Sequence, residues 1–156
     1  MASSKYAVPV LISPDCDQRR YSAWLRRKAM AHVRRDLKRG VACTVSQYKE
    51  AIHFAVCSRG HEDFYTGERL DWKLVSVYRN EEAKSGKVKY KKTLSLLPTV
   101  DHTEDEHGQP CFVICSWRVN DAKSDLTLGE FYSLCERVLA HRESAGQGAA
   151  PSTSRG

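Results

Sequence analysis

The sequence has no long apolar run, no Cys-x-x-Cys pair and no internal repeat. Without an uninterrupted apolar stretch of roughly 20 residues, a transmembrane helix is excluded and no membrane partner is expected. The opening Met-Ala-Ser-Ser-Lys has neither the apolar core nor the cleavage pattern of a secretory leader, so a reducing cytoplasm is the expected compartment. There the six cysteines, Cys16, Cys43, Cys57, Cys111, Cys115 and Cys135, read as thiols, most of them small buried apolar residues. At 156 residues the chain is too short for a multidomain machine, and 41% hydrophobic residues are too many for a wholly disordered one.

What is present is positive charge. Lys and Arg number 25 against 19 Asp and Glu, a net +6. The excess is placed unevenly: nine basic residues lie between Arg19 and Arg39, and five lysines between Lys84 and Lys92. Such patches suit a polyanionic partner. For residues 19–39 a solvated basic face is the alternative to a DNA-backbone surface. A membrane-surface helix fits poorly, because Lys28, His32 and Asp36 interrupt its apolar side.

Hydrophobic spacing predicts helices over 18–38 and 45–58. In the first, Tyr21, Leu25, Val33 and Leu37 share one side, Arg20, Arg27, Arg34 and Lys38 another, and Gly40 stops it. Thr44 and Gln47 form a capping-box pattern before the second. A short strand is expected at 7–12, a turn at Thr66-Gly67, strands at 94–103 and 111–117, and a polar loop between those strands. Thr127 and Glu130 cap a last helix with Phe131, Leu134, Cys135, Val138 and Leu139 as its apolar stripe. The Ser, Gly, Ala and Pro content after residue 143 predicts a disordered tail over 144–156.

Chemistry concentrates in Asp101-His102 and in Asn-Asp-Ala-Lys-Ser-Asp from Asn120. Neighbouring side chains on a strand face opposite ways, so one can hold a metal while the other faces substrate. Asp101 and Asn120 offer oxygen ligands to a hard divalent cation, and a neutral His102 imidazole can take a proton from water. Lys123, one turn beyond Asn120, can neutralise a phosphate. The plainer readings are a surface Asp-His dipeptide, Asn120 as a helix N-cap, and Lys123 and Asp125 as solvated charges. Cys57, His61, Cys111 and Cys115 could be imagined as a zinc site, but core packing suits their spacing better.

The segments Asp-Phe-Tyr-Thr-Gly-Glu-Arg-Leu (63–70), Leu-Pro-Thr-Val-Asp-His (97–102) and Val-Ile-Cys-Ser-Trp-Arg-Val-Asn-Asp-Ala-Lys-Ser-Asp-Leu (113–126) resemble the HNH endonuclease family. The resemblance covers 63–141, about half the chain. It implies an α+β protein in which a ββα-metal core (63–143) follows a basic N-terminal helical region (1–62). It implies metal-dependent hydrolysis of DNA, with RNA also open as the polymer. Asp101 and Asn120 would hold one Mg²⁺ or Mn²⁺, and His102 would be the general base. Arg118 and Lys123 would contact phosphate, with Arg27, Arg34, Lys38, Lys89 and Lys91 as further backbone contacts. The sequence departs from the family at Cys111, near where its middle Asn falls, so the loop carrying His102 must be held otherwise. The zinc-knuckle positions of relatives fall at Asp63, Thr66, Ser116 and Val119. None is cysteine, so no structural zinc is expected and hydrophobic packing should replace it. A non-catalytic nucleic-acid-binding module and a phage or mobile-element interaction protein are the rival readings. Monomer and homodimer both stay open.

Overall fold

The computed structural model describes residues 5–77, 92–104 and 110–147. The protein is α+β. Helix α1 (Gln18–Lys38) and helix α2 (Val45–Arg59) are followed by a 3₁₀ turn at Trp72–Ser76. Strands β1 (Pro98–Glu104) and β2 (Pro110–Ser116) come next, then helix α3 (Trp117–Lys123) and helix α4 (Leu128–Gln147). The strands form a two-stranded antiparallel sheet in which Asp101 lies opposite Val113 and His102 opposite Phe112. Among the described residues no helix is long and apolar enough to cross a membrane.

The chain divides into two compact units, 1–122 and 123–156. In the first, both helices and both strands share one core, so the boundary expected at 62/63 falls inside it. Tyr21, Trp24, Leu25 and Ile52 are fully buried with Trp72 and Leu94. Trp24 and Trp72 meet edge to face at 4.9 Å, a favoured aromatic geometry. Each indole N–H is satisfied, Trp24 donating to the Pro98 carbonyl at 3.2 Å and Trp72 to that of Gly60 at 2.7 Å. Burying side chains of this kind stabilises the fold by about 2 kcal/mol each. Leu37, expected in the core, is 55% exposed. Its place on the buried side of α1 is taken by Asp36. In the second unit Thr127 and Glu130 form the expected reciprocal cap of α4. That helix runs to Gln147, so 144–147 are helical rather than tail, and 148–156 lie outside the described residues.

Three local expectations change. Residues 7–12 form no strand; 10–12 lie in turns, with Ile12 N–H donating to the Pro9 carbonyl. β1 starts at Pro98, four residues later than its apolar content suggests, because proline in the sheet is tolerated at a strand's first position. α3 starts at Trp117, directly after β2, so Asn120 lies inside the helix and is not its N-cap. The free N–H groups at the start of α3 are met from outside it: Trp117 donates to the Leu97 carbonyl, Arg118 to that of Ser95, and Val119 to Ser116 Oγ.

The turn at 63–68 is organised by one buried carboxylate. Asp63 Oδ1 accepts the N–H groups of Tyr65 and Thr66 at 2.8 and 3.0 Å, and Oδ2 accepts the Ser116 N–H at 2.6 Å. Gly67 sits at φ +70°, a left-handed conformation that glycine adopts without strain. A bridge between Glu62 and Arg69 closes the turn, and the Phe64 N–H donates to the Ile114 carbonyl. The four positions 63, 66, 116 and 119 are thus tied together by hydrogen bonds centred on Asp63 and Ser116. Hydrophobic packing, the expected replacement for zinc there, is not what joins them.

Asp63→Ala leaves three backbone donors without their charged acceptor and should destabilise the protein by about 3 kcal/mol. Thr66→Ala removes only an exposed hydroxyl and should cost under about 1 kcal/mol. Urea unfolding monitored by tryptophan fluorescence separates the two; equal midpoints for both variants would remove Asp63 from this role.

Candidate functional site

Alternation along β1 sends Thr99, Asp101 and Thr103 to one face, and Val100 and His102 to the other. Asp101 is buried and accepts hydrogen bonds at both oxygens. The Tyr65 hydroxyl donates to Oδ2 at 2.5 Å and the His102 N–H to Oδ1 at 2.9 Å. Two positions earlier, Thr99 Oγ1 lies 2.7 Å from Lys28 Nζ of α1. Thr99, Lys28, Arg27 and Asn120 line a cleft of about 290 Å³ with Trp24 and Trp117 among its walls. Asn120 therefore reaches the cleft that Thr99 enters, on the face of β1 that carries Asp101.

His102 occupies a different environment. Its ring stacks on Phe112 across the sheet, with centroids 5.2 Å apart, and meets His32 of α1 edge to face at 6.2 Å. Nδ1 faces Asp36 Oδ2 at 3.7 Å, and Nε2 is buried without a hydrogen-bond partner among the described residues. A carboxylate beside Nδ1 favours the tautomer with its proton there, which leaves the lone pair on Nε2. The Asp36 carboxylate is itself held, accepting from Tyr48 Oη at 2.8 Å and from Arg35 Nε at 3.4 Å. Burial pushes its pKa up, but the Tyr48 hydroxyl, His102 and Arg35 outweigh burial and hold it below its ordinary value. Burial lowers the pKa of His102, with Asp36 acting against that shift. His32 is pulled down to about 4, first by burial and then by Arg35, whose guanidinium lies 2.8 Å from its Nδ1.

The remaining expected contacts are dispersed. Arg27, Arg34 and Lys38 are exposed along α1. Arg118 is exposed and paired with Glu68 at 2.5 Å. Lys123 closes α3 at the start of the second unit and is buried rather than solvated, and Asp125 is exposed. Lys89 and Lys91 lie outside the described residues. All six cysteines are free. Among the described residues no three His, Cys, Asp or Glu side chains form a metal-binding group, so Cys57, His61, Cys111 and Cys115 are not gathered into one. Of the two expected metal ligands, Asp101 lies on β1 and Asn120 on α3, one a carboxylate and the other a side-chain amide. That set suits a hard cation that keeps several of its waters.

The residues that surround Asp101 and His102, and that sequence reasoning missed, are Lys28, His32, Asp36, Tyr48 and Tyr65. A signal for three of them was present. Lys28, His32 and Asp36 recur every four residues on the otherwise apolar side of α1, and a polar row on a buried face must meet partners.

No protein-family model, curated protein or solved structure matches this chain.

A neutral buried histidine binds its proton less well folded than unfolded, so stability is complete above the unfolded pKa and falls as pH drops toward the folded one. For His32 that window runs from 6.5 down to about 4, a loss of about 3 kcal/mol. Asp36, lowered from 3.8 in the fold, loses its contribution only below that window. The unfolding midpoint in urea should therefore fall between pH 7 and pH 4.5, and His32→Gln should flatten that fall.

Proposed function

We propose that the chain is an HNH-type endonuclease that hydrolyses DNA phosphodiester bonds. The observation that carries this reading is His102: an imidazole with a carboxylate behind Nδ1 and an orphaned lone pair at Nε2, adjacent in sequence to a buried carboxylate on the other face of the strand. A buried polar atom with no partner is costly and calls for an explanation, and a base awaiting its proton is one. The strand–strand–helix order of β1, β2 and α3 supports the same reading, as does the gathering of 63, 66, 116 and 119.

In this mechanism His102 Nε2 takes a proton from water, and the water oxygen attacks phosphorus in line with the leaving oxygen. The imidazolium so formed is stabilised by Asp36, whose own charge is kept by Tyr48 and Arg35. Tyr65 orients the Asp101 carboxylate. One Mg²⁺ or Mn²⁺ bound by Asp101 and Asn120 would neutralise charge developing on the phosphate and the leaving oxygen. Arg27, Arg34 and Lys38 hold the backbone on the exposed side of α1, without reading bases. Free thiols at all six cysteines are consistent with action in a reducing cytoplasm.

The test is cleavage of supercoiled plasmid, linear duplex, single-stranded DNA and RNA with Mg²⁺ or Mn²⁺. His102→Ala should lower the rate 10²–10⁴-fold, the usual worth of a general base, while leaving DNA affinity nearly unchanged. A protein that binds DNA but never cuts it is the non-catalytic module instead. Cleavage undiminished in His102→Ala assigns the base elsewhere.

The backbone contacts have a separate signature. Affinity should fall linearly with salt on logarithmic axes, and Arg27→Ala, Arg34→Ala and Lys38→Ala should each reduce the slope by roughly 0.9. An unchanged slope in all three variants would return α1 to being a solvated basic face.

A further inference from the structure

The least compensated charge in the first unit is Lys28. Its ammonium makes one hydrogen bond, to the neutral Thr99 hydroxyl, and no described carboxylate is paired with it. The next charge along the chain is Arg27, of the same sign, and both line the cleft with Asn120 and Thr99. A desolvated cation with only a hydroxyl for company is unfavourable in the free protein. Burial draws its pKa down to about 8, so at neutral pH it still carries its charge. An anion entering the cleft meets that charge, the Arg27 guanidinium, the Thr99 hydroxyl and the Asn120 amide together.

We propose that the cleft between α1, the start of β1 and α3 is a phosphate-binding subsite, with Lys28 as its central cation, and that its occupant is a phosphodiester of a nucleic acid. It rests on the nuclease reading only for the polymer that brings the phosphate; the anion site stands on the cleft itself. Two observations favour a diester within a chain over a free phosphate. At about 290 Å³ the cleft is far larger than a single small anion needs, since a water's share of liquid is about 30 Å³. Arg27 also borders a second cleft that contains Arg19, so a strand leaving Lys28 passes from one cation to the next. The half-buried Trp117 gives the apolar parts of a nucleotide a surface to lie on. Asp101 stands two positions from Thr99 on the same face of β1.

The probes are inorganic phosphate and a short single-stranded deoxyoligonucleotide, read by thermal unfolding and by titration of the full chain without added metal. Lys28→Met should unfold close to the native chain's midpoint in the absence of anion, because it removes an unpaired half-buried charge together with one hydrogen bond to Thr99. It should bind the oligonucleotide at least about tenfold more weakly, while Lys28→Arg keeps most of the affinity. Native-chain unfolding that neither phosphate nor the oligonucleotide changes overturns the subsite. So does a Lys28→Met variant that binds the oligonucleotide with native affinity. If phosphate stabilises the chain and the oligonucleotide does not, the diester assignment falls. Failure of the two readings is distinguishable. Lys28-dependent binding in a protein that never cuts DNA leaves the subsite and removes the nuclease. His102-dependent cutting that is indifferent to Lys28→Met does the reverse.

Discussion

The structure of the first unit depends on a polar row pressed against a strand. Lys28, His32 and Asp36 repeat every four residues along α1 and meet Thr99 and His102 of β1. Most helix faces that pack on a sheet are apolar and can slide by a residue at modest cost. A row of polar groups cannot, because each loses a partner on moving and a buried polar group without one costs about 1–3 kcal/mol. The row therefore fixes where α1 lies along β1, and the indole of Trp24 adds a fourth point at the Pro98 carbonyl. The Tyr48 hydroxyl, donated from α2 to Asp36, extends the same network to the second helix.

A second carboxylate, Asp63, does for the other end of the sheet what Asp36 does for the helices. It joins the 63–68 turn to the last residue of β2, and Ser116 passes the connection on to the first turn of α3. Four short segments with little apolar surface of their own are thereby given one geometry. The consequence for the candidate site is direct. Tyr65 leaves this turn to reach Asp101, so the orientation of the carboxylate on β1 is set by the turn that Asp63 shapes.

Much of the helical architecture was legible in the sequence. The bounds of α1 follow from the spacing of Tyr21, Leu25 and Val33 and from Gly40, and the caps at Thr44 and Thr127 are local patterns that need no tertiary knowledge. The strands were legible as elements but not in their bounds, because the apolar run at 94–97 reads as strand while a turn and Pro98 delay it. Asp101, His102 and Asn120 were nominated by pattern. Their neighbours were not, since Asp36 and Asp101 lie 65 positions apart in the chain and only the packing of α1 on the sheet brings them to one strand. Leu37 shows the same limit from the other side: four-residue spacing nominated it for the core, yet Asp36 holds that place because Tyr48 and Arg35 satisfy its carboxylate.

Stability alone does not account for what surrounds β1. An apolar side chain at position 28 would pack the cleft without stranding an ammonium, and an apolar residue at 102 would stack on Phe112 without burying an unsatisfied nitrogen. Both faces of one short strand therefore carry groups whose requirements the free fold does not meet. The two requirements are complementary: Lys28 lacks an anion, and Nε2 of His102 lacks a proton donor. On the proposed reading the first is met by a phosphate in the cleft beside Thr99 and the second by water on the opposite face of the strand. The proposed subsite and the proposed general base each answer one of these departures from good packing, and they meet β1 at Thr99 and His102, three positions apart on opposite faces.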